Sequence, residues 1–231
     1  MNENISTPIV NPDTVPFVIN IGRQLGSGGR AIGKRLSQEL GIAYFDKEIL
    51  TIAARESGFC TEVFERSDEQ KGFFRSVLGN LVPMMSSGGD FYNNQLSDEH
   101  LFPLQAEAIR KAAQQQSCIF IGRCADYILR DHPRHINLFF TANLEDRVAR
   151  MASEKGITAE QAEELIEKTD RRRADYYNYY SGKTWGAAES YDLCINTSHL
   201  GFEGTAKMLI EYIESRVGTL PLTPASMEGS K

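Results

Sequence analysis

The stretch INIGRQLGSGGRAIGKRLSQELGIAYFD, residues 19–46, is the most informative part of this 231-residue chain for predicting its fold. It begins in a short apolar, β-branched run that is typical of a buried strand. A glycine-rich turn follows, and then Ile32, Leu36 and Leu40 recur four residues apart, which predicts one face of a helix. The last residues, IAYFD, predict a second strand that ends in an acid. This order of strand, glycine-rich turn, helix and strand is the order in which phosphate-binding loops occur.

Two registers fit the glycine-rich turn. The literal one takes residues 28–34 as G-x-x-x-x-G-K, which delays the helix to about Gly33 and leaves Ile32 in the loop. Only roughly two helical turns would then remain before Gly41. The other register takes residues 23–29 as the loop and starts the helix near Arg30, so that the loop directly follows the strand and Ile32 falls inside the helix. We favour the second register for that reason.

In the favoured register Gly29 occupies the position of the usual lysine, and Arg30 occupies that of the hydroxyl residue that binds magnesium. The backbone cradle needs only glycine freedom and successive N–H groups at a helix N-terminus, so it survives these changes. Arg23 and Arg30 are the nearest cationic substitutes, although a planar guanidinium is not equivalent to a movable ammonium. The simpler alternative is a glycine-rich strand–helix turn that binds nothing.

Composition excludes several classes of function. The net charge is −6, which argues against binding of duplex nucleic acid through its phosphates. The four cysteines form no C-x-x-C pair and the four histidines are scattered, so no metal site is predicted. No basic, apolar signal peptide begins the chain and no apolar run reaches the length of a membrane span. We therefore expect a cytoplasmic protein that binds neither nucleic acid nor a membrane.

Five short apolar runs alternate with helical segments along the rest of the chain. They lie at residues 16–21, 42–46, 117–122, 135–142 and 191–198. This alternation predicts parallel strands joined by right-handed crossovers, in a three-layer α/β domain. We expect one domain over residues 16–217, between an N-terminal arm (1–15) and a polar tail (218–231), with an insertion near 59–101.

The chain resembles the cytidylate kinase-like group of P-loop nucleoside monophosphate kinases over about residues 16–215. The stretch RQLGSGGRAIGKRL resembles the group's phosphate loop and first helix, and IFIGRCADYIL resembles its third strand with a Gly-Arg pair that contacts the acceptor nucleotide. INLFFTANLEDRVARM and YDLCINTS resemble later strands, and TDRRRADYY resembles the arginine-rich lid, here about residues 168–188. The resemblance implies a P-loop fold with a five-stranded parallel sheet, a helical acceptor-binding insertion and this lid.

The same resemblance implies the activity and the site. The activity is transfer of a phosphoryl group from ATP, with Mg²⁺ as cofactor, to a nucleoside monophosphate, most simply CMP or dCMP. The expected ATP-binding residues are Arg23, Gly26, Ser27, Gly28, Gly29 and Arg30. The expected acceptor-binding residues are Asp46, Arg123, Asp126, Asp170 and Arg173. The expected catalytic cations are Arg30, Arg172 and Arg173, which neutralise charge on the transferring phosphoryl group.

Two departures from the group's pattern bear on this expectation. The loop lacks its lysine, which bears on catalytic efficiency, and Cys124 follows Gly122-Arg123 where a cytidylate kinase has an acid, with Asp126 as a substitute. Other roles stay open: Asp46 also fits the N-cap of a following helix, and the arginine run also fits a solvated helix face. The alternatives to a nucleotide kinase are a catalytically impaired nucleotide-binding sensor or partner-binding module, and a kinase for another small acceptor. The aromatic content of the insertion and lid leaves room for a homodimer.

Overall fold

A computed structural model describes residues 15–47 and 98–218. The expected N-terminal arm up to residue 14, the expected insertion up to residue 97 and the expected tail from residue 219 lie outside the described residues. Within the described part the chain forms one five-stranded sheet in the order β2-β3-β1-β4-β5, with every neighbouring pair parallel. The prediction of a five-stranded parallel sheet is therefore confirmed.

The strands are β1 (Val18–Arg23), β2 (Ala43–Phe45), β3 (Cys118–Ile121), β4 (His135–Thr141) and β5 (Leu193–Asn196). The described helices are α1 (Gly29–Leu40), α2 (Asp98–Gln115), α3 (Ala125–Ile128), α4 (Leu144–Lys155), α5 (Ala159–Ser181) and α6 (Gly201–Val217), with a short 3₁₀ helix at Ala188–Ser190. None of these helices is long and apolar enough to cross a membrane.

Helices cover both faces of the sheet. On one face α1 and α6 pack against β1, β3 and β4, and the predicted stripe of Ile32, Leu36 and Leu40 is buried there. On the other face α2 and α3 bury side chains such as Ile109 and Ile128 against β1 and β3. Each such burial stabilises the fold by roughly 1.5–3 kcal/mol relative to an exposed side chain. The result is the expected three-layer arrangement.

The carboxyl ends of the strands bring distant parts of the sequence to one edge. Because the strands are parallel, the residues that follow β1, β2 and β3 emerge side by side. β1 ends in Arg23, while Asp46 follows β2 and Gly122 follows β3. The sheet thus places a glycine-rich turn, an acid and the Gly-Arg pair next to one another.

Helix α5 crosses this edge. It begins at a capping box in which Thr158 Oγ1 accepts from the backbone N–H of Gln161 at 3.3 Å, and Gln161 Oε1 accepts from that of Thr158 at 3.0 Å. Its first half packs on α4 through Met151, Ala162 and Ile166. The helix runs unbroken to Ser181, so the expected lid segment begins as the second half of a 23-residue helix.

Candidate active site

The glycine-rich turn has the second of the two registers. β1 ends at Arg23, and α1 begins at Gly29 with Gly28 as its N-cap. Gly26 and Gly28 have φ angles of +78° and +81°, a left-handed region that glycine occupies without strain. Lys34 lies inside α1 on its exposed side, so the literal G-x-x-x-x-G-K reading does not describe the loop.

Arg23 fills the space that a loop lysine would need. A Cβ atom on Gly29 would lie 2.8 Å from Cβ of Arg23 and 3.0 Å from its Cγ. Further out, the same side chain passes over Gly122, where a Cβ would lie 2.1 Å from Nη1 of Arg23. Glycine at both positions therefore clears a path for Arg23 from the loop to the end of β3. The guanidinium of Arg23, which the sequence assigned to ATP binding, faces a cavity beside the loop.

A cavity of about 280 Å³ lies beside the loop, at the carboxyl ends of β1 and β3. Six cationic residues line it: Arg23, Arg30, Lys47, Arg123, Arg172 and Arg173. Four aromatic residues line it as well: Tyr176, Tyr177, Trp185 and Tyr191. Lys47 was absent from the expected site, although its place directly after Asp46 at a strand end was a usable signal. A cavity of this composition suits a ligand with an anionic end and a planar end.

The arginines crowd one another. Burial, and then the charges of Arg173 and Arg30, lower the pKa of Arg23. Its Nε is buried and has no hydrogen-bond partner among the described residues. Burial also lowers the pKa of Arg173, partly offset by Asp170. An anion that enters the cavity would relieve this repulsion, so the cavity is electrostatically poised for one.

Arg30 and Asp46 form an ion pair. Nη2 of Arg30 lies 2.8 Å from Oδ2 of Asp46, with the two side chains 54% and 12% exposed. The position of the usual metal-binding hydroxyl thus holds a cation that pairs with the acid after β2. The loop's own hydroxyl, on Ser27, is buried and donates to the carbonyl oxygen of Gln24 at 2.9 Å. Neither side chain offers the loop ligand that a P-loop normally gives to Mg²⁺.

Asp170 supports the loop instead of lining the cavity. Its Oδ1 accepts from the backbone N–H of Leu25 at 2.8 Å, and its Oδ2 pairs with Arg147. Nε of Arg147 in turn donates to the carbonyl oxygen of Leu25 at 2.7 Å. Asp170 was predicted to bind the acceptor, and in the structure both of its carboxylate oxygens contact the loop clamp and it is not part of the cavity lining. Arg147, which the sequence reasoning missed, completes a clamp that fixes the loop to α4 and α5.

The three consecutive arginines of α5 point in different directions. Arg171 is exposed and pairs with Glu167 at 2.8 Å, one helical turn away. Arg172 lines the cavity. Nη1 of Arg173 donates to the carbonyl oxygen of Arg23 at 3.0 Å and lies 3.6 Å from Asp170. Arg173 therefore bridges the end of β1 and the loop clamp.

The Gly-Arg turn after β3 has an unusual backbone. Gly122, Arg123 and Cys124 have φ angles of +73°, +61° and +55°, so two non-glycine residues in a row are left-handed. Each such residue is strained by roughly 1–2 kcal/mol. The turn brings Arg123 into the cavity, with its guanidinium carbon 4.9 Å from the ring centroid of Tyr176. Strain that places a cation in a cavity points to a functional turn.

Asp126 lies on α3 and lines the cavity beyond Arg123. It accepts a hydrogen bond from the hydroxyl of Tyr177 at 2.7 Å. Burial raises the pKa of its carboxyl group, and the bond from Tyr177 partly offsets this. The structure thus brings Asp126 and Arg123 together in one cavity, as the sequence predicted.

The remaining loop residues lie away from the cavity lining. The ring of Phe202 packs over Gly28, where a Cβ would lie 2.1 Å from it. The guanidinium of Arg150 lies 4.5 Å from that ring's centroid and donates to the carbonyl oxygen of Gly26. Thr197 donates to the carbonyl oxygen of Ser27 at 2.8 Å. Side chains from α4, α6 and the end of β5 therefore brace the loop, and none of these contacts is visible in the local sequence.

A protein-held metal site is not found in the part of the chain that the structure describes, where no three His, Cys, Asp or Glu side chains cluster. At the loop itself, the cation of Arg30 pairs with Asp46 at the position where a P-loop has its metal-binding hydroxyl. Mg²⁺ is commonly held by the phosphates of a nucleotide together with only one or two protein groups.

Comparisons with known proteins show the family to which the chain is related. A model of the cytidylate kinase-like family matches residues 18–199. The cytidylate kinase of Thermococcus kodakarensis is 30% identical over 190 residues, which cover 81% of this chain and 83% of that protein. The cytidylate kinase of Methanopyrus kandleri is 23% identical over 205 residues, which cover 85% and 92%. The crystal structure of an uncharacterized protein from Eubacterium ventriosum is 26% identical, with a TM-score of 0.66, and covers 87% of this chain and 99% of that one. Because the family model spans most of its length, the chain belongs to the cytidylate kinase-like family.

Proposed function

We propose that this chain transfers the γ-phosphoryl group of ATP, supplied as its Mg²⁺ complex, to CMP or dCMP. Family membership supports a nucleotide kinase. The observation that carries the proposal is the cavity beside the glycine-rich turn, where cations from three strand ends and α5 meet. Such a cavity is suited to hold an acceptor's phosphate close to the donor's phosphates.

The donor's phosphates occupy the loop in this proposal. The turn from Gly26 to Gly29 leads into the N-terminus of α1, where backbone N–H groups and the helix dipole favour an anion. The clamp of Asp170 and Arg147 fixes this turn through the backbone N–H and the carbonyl oxygen of Leu25. A rigid loop binds a polyphosphate with less loss of conformational freedom than a mobile one.

The acceptor's phosphate lies between Arg123 and Arg23, which extend from the ends of two neighbouring strands. A guanidinium can donate two parallel hydrogen bonds to a phosphate, which fixes its position and orientation. The acceptor's base then extends toward Asp126 and the aromatic walls. Asp46 stays with Arg30, so its part in acceptor binding is indirect, through that guanidinium.

The transfer itself needs cations more than a base. An oxygen of the acceptor's phosphate attacks the γ-phosphorus, the bond to the β,γ-bridging oxygen breaks, and ADP leaves with that electron pair. The attacking oxygen is already anionic, so no proton has to be removed. Arg30, Arg172 and Arg173 supply positive charge to the transferring group, in a site where Gly29 supplies none.

A coupled assay of ADP release across a panel of nucleoside monophosphates tests the proposal. We expect ADP release that depends on CMP or dCMP and that falls by roughly 10³-fold in Arg173→Ala, by analogy with other phosphoryl-transfer arginines. Arg171→Ala is the matched control, because its side chain is 71% exposed on the same helix, and it should behave as wild type. ADP release that no nucleoside monophosphate stimulates would contradict the proposal.

Gly29 in the position of the lysine favours one rival: a nucleotide-binding module that does not turn over. Such a module would bind ATP in a titration and release no ADP with any acceptor. The two functions are therefore separated by running the binding and turnover measurements on the same preparation. Stimulation by a small acceptor that is not a nucleotide would indicate a kinase of another specificity.

A further inference from the structure

Asn20 is a polar residue in the middle of an apolar sheet. It lies in β1, directly between Phe120 of β3 and Asn137 of β4, and only 2% of its surface is exposed. Its immediate neighbours Ile19 and Ile21 point to the opposite face and are fully buried there. Asparagine is rarely this deeply buried unless its polar atoms have partners.

Only one end of this amide is satisfied within the described structure. Nδ2 of Asn20 donates to Oδ1 of Asn137 at 2.8 Å. Oδ1 of Asn20 is buried and accepts no hydrogen bond from any residue that the structure describes. A buried acceptor without a donor destabilises a fold, so a native protein that keeps one calls for an explanation.

The position of Asn20 supplies that explanation, because Asn20 lines the same cavity as the arginines. It precedes Arg23 by three residues in an extended strand, which separates them by about 10 Å along β1. The cavity lining thus extends along β1 from the guanidinium of Arg23 to the amide of Asn20. The carboxyl group of Asp126 and the rings of Tyr177 and Trp185 line the same cavity.

The unpaired polar atom of Asn20 is an acceptor oxygen. A ligand group that pairs with it must donate, as N–H or O–H does, whereas a ligand carbonyl would leave this oxygen without a partner. In CMP the 4-amino group supplies two N–H donors at the end of the base opposite the phosphate. In UMP a carbonyl oxygen takes the same place.

We propose that Asn20 is a specificity-determining residue whose side-chain oxygen accepts a hydrogen bond from the amino group of the acceptor's base. This inference rests on the proposed function, since it takes the acceptor to be a phosphate-bearing nucleotide. From its place in β1, Asn20 favours a pyrimidine with an amino group at position 4 over one with a carbonyl group there. A site built to receive an N–H group rejects an analogue that leaves its buried oxygen unpaired.

The experiment compares three acceptors on three proteins. The acceptors are CMP, UMP and the 2-pyrimidinone ribonucleoside monophosphate, which is CMP without its amino group. The proteins are wild type, Asn20→Ala and Asn137→Ala. The last is a matched control, because it removes the same amide–amide hydrogen bond from the sheet while it leaves the oxygen of Asn20 in place. Each pair is measured by steady-state kinetics and by titration calorimetry.

We expect Asn20→Ala to lower kcat/KM for CMP by roughly tenfold, while the analogue without the amino group changes by less than about twofold. Asn137→Ala should keep the wild-type preference for CMP over that analogue, even if its melting temperature falls. The inference is overturned if Asn20→Ala weakens all three acceptors equally, or if Asn137→Ala abolishes the preference to the same extent. Wild type that neither binds nor phosphorylates any of the three would overturn the proposed function, and this inference with it.

Discussion

The side chain of Arg23 occupies the space next to Gly29 that a side chain on residue 29 would need. A Cβ on residue 29 would lie 2.8 Å from Cβ of Arg23, and 3.2 Å from the ring of Phe140 on its other side. A lysine at position 29 is thus incompatible with Arg23 in its present path. The loop therefore has no cation at position 29, and the cation of Arg23 at the end of β1 reaches Gly122 of the neighbouring strand end and the cavity.

Restoring the lysine should therefore harm the protein. Gly29→Lys should destabilise the fold by about 1–3 kcal/mol, the usual effect of overpacking, and should not raise turnover. The double variant Arg23→Gly/Gly29→Lys should recover much of that stability, because it removes the side chain that blocks the lysine. Denaturant unfolding of both single variants and the double variant measures this coupling. Strictly additive effects would show that the two positions do not compete for space.

Lys34 should be dispensable and Arg30 should not. Lys34 is exposed within α1, whereas Arg30 begins that helix, lines the cavity and pairs with Asp46. Arg30→Ala should lower kcat on the order of 10³-fold with little change in melting temperature, since its side chain is 54% exposed. Lys34→Ala should keep the kcat of wild type. An inactive Lys34→Ala variant would mean that this lysine serves the phosphates after all.

Loss of the Asp170 side chain should lower the stability of the fold and weaken ATP binding more than acceptor binding. Its partner Arg147 is only 7% exposed, so Asp170→Ala leaves a buried guanidinium unpaired and should destabilise the fold by about 3–5 kcal/mol. Since Leu25 loses the same anchor, the KM for ATP should rise more than the KM for CMP. Glu167→Ala, which breaks an exposed pair on the same helix, is the control and should change stability by less than about 1 kcal/mol. A selective rise in the KM for CMP would return Asp170 to the acceptor site.

Asp126 should make stability depend on pH in an uncommon direction. Its pKa is raised in the fold, so on rising pH the unfolded chain loses its proton first, near pH 3.9. Ionisation then favours unfolding until the pH passes the folded pKa, and the penalty stays constant above that. Asp126→Asn, which removes the charge, should therefore be more stable than wild type at neutral pH. The advantage should shrink toward pH 4 in thermal unfolding series, and an advantage that grows at low pH would contradict the assignment.

The strands and helices of this protein were easier to predict from its sequence than the contacts between distant side chains. Hydrophobic periodicity located all five strands, and the phase of Ile32 with Leu36 fixed the start of α1. Strand ends in a parallel sheet also indicated Arg123 as a site residue, and the family resemblance indicated Asp126. These features depend on local spacing, which the sequence displays directly.

Contacts between distant residues were not predictable in the same way. Asp170 reaches Leu25 across 145 residues of sequence, and no local pattern distinguishes it from an acid that faces a ligand. Asn143 is the N-cap residue of α4, yet its side-chain oxygen makes no cap bond and accepts from Asn196 at 2.9 Å, because the neighbouring strand end supplies a donor. Nothing in the sequence distinguishes Asn20 from other polar residues in strands, because its unpaired oxygen and its place in the cavity depend on the folded structure.

In the proposed function Arg23 binds the phosphate of the acceptor and does not bind ATP. The most direct test of this assignment is the pair of KM values, for ATP and for CMP, in Arg23→Ala beside wild type. We expect the KM for CMP to rise on the order of 10²-fold, the equivalent of about 2.7 kcal/mol for a lost charge-assisted phosphate contact, while the KM for ATP stays within about threefold. A KM for ATP that rises while the KM for CMP is unchanged would show that Arg23 binds the donor instead.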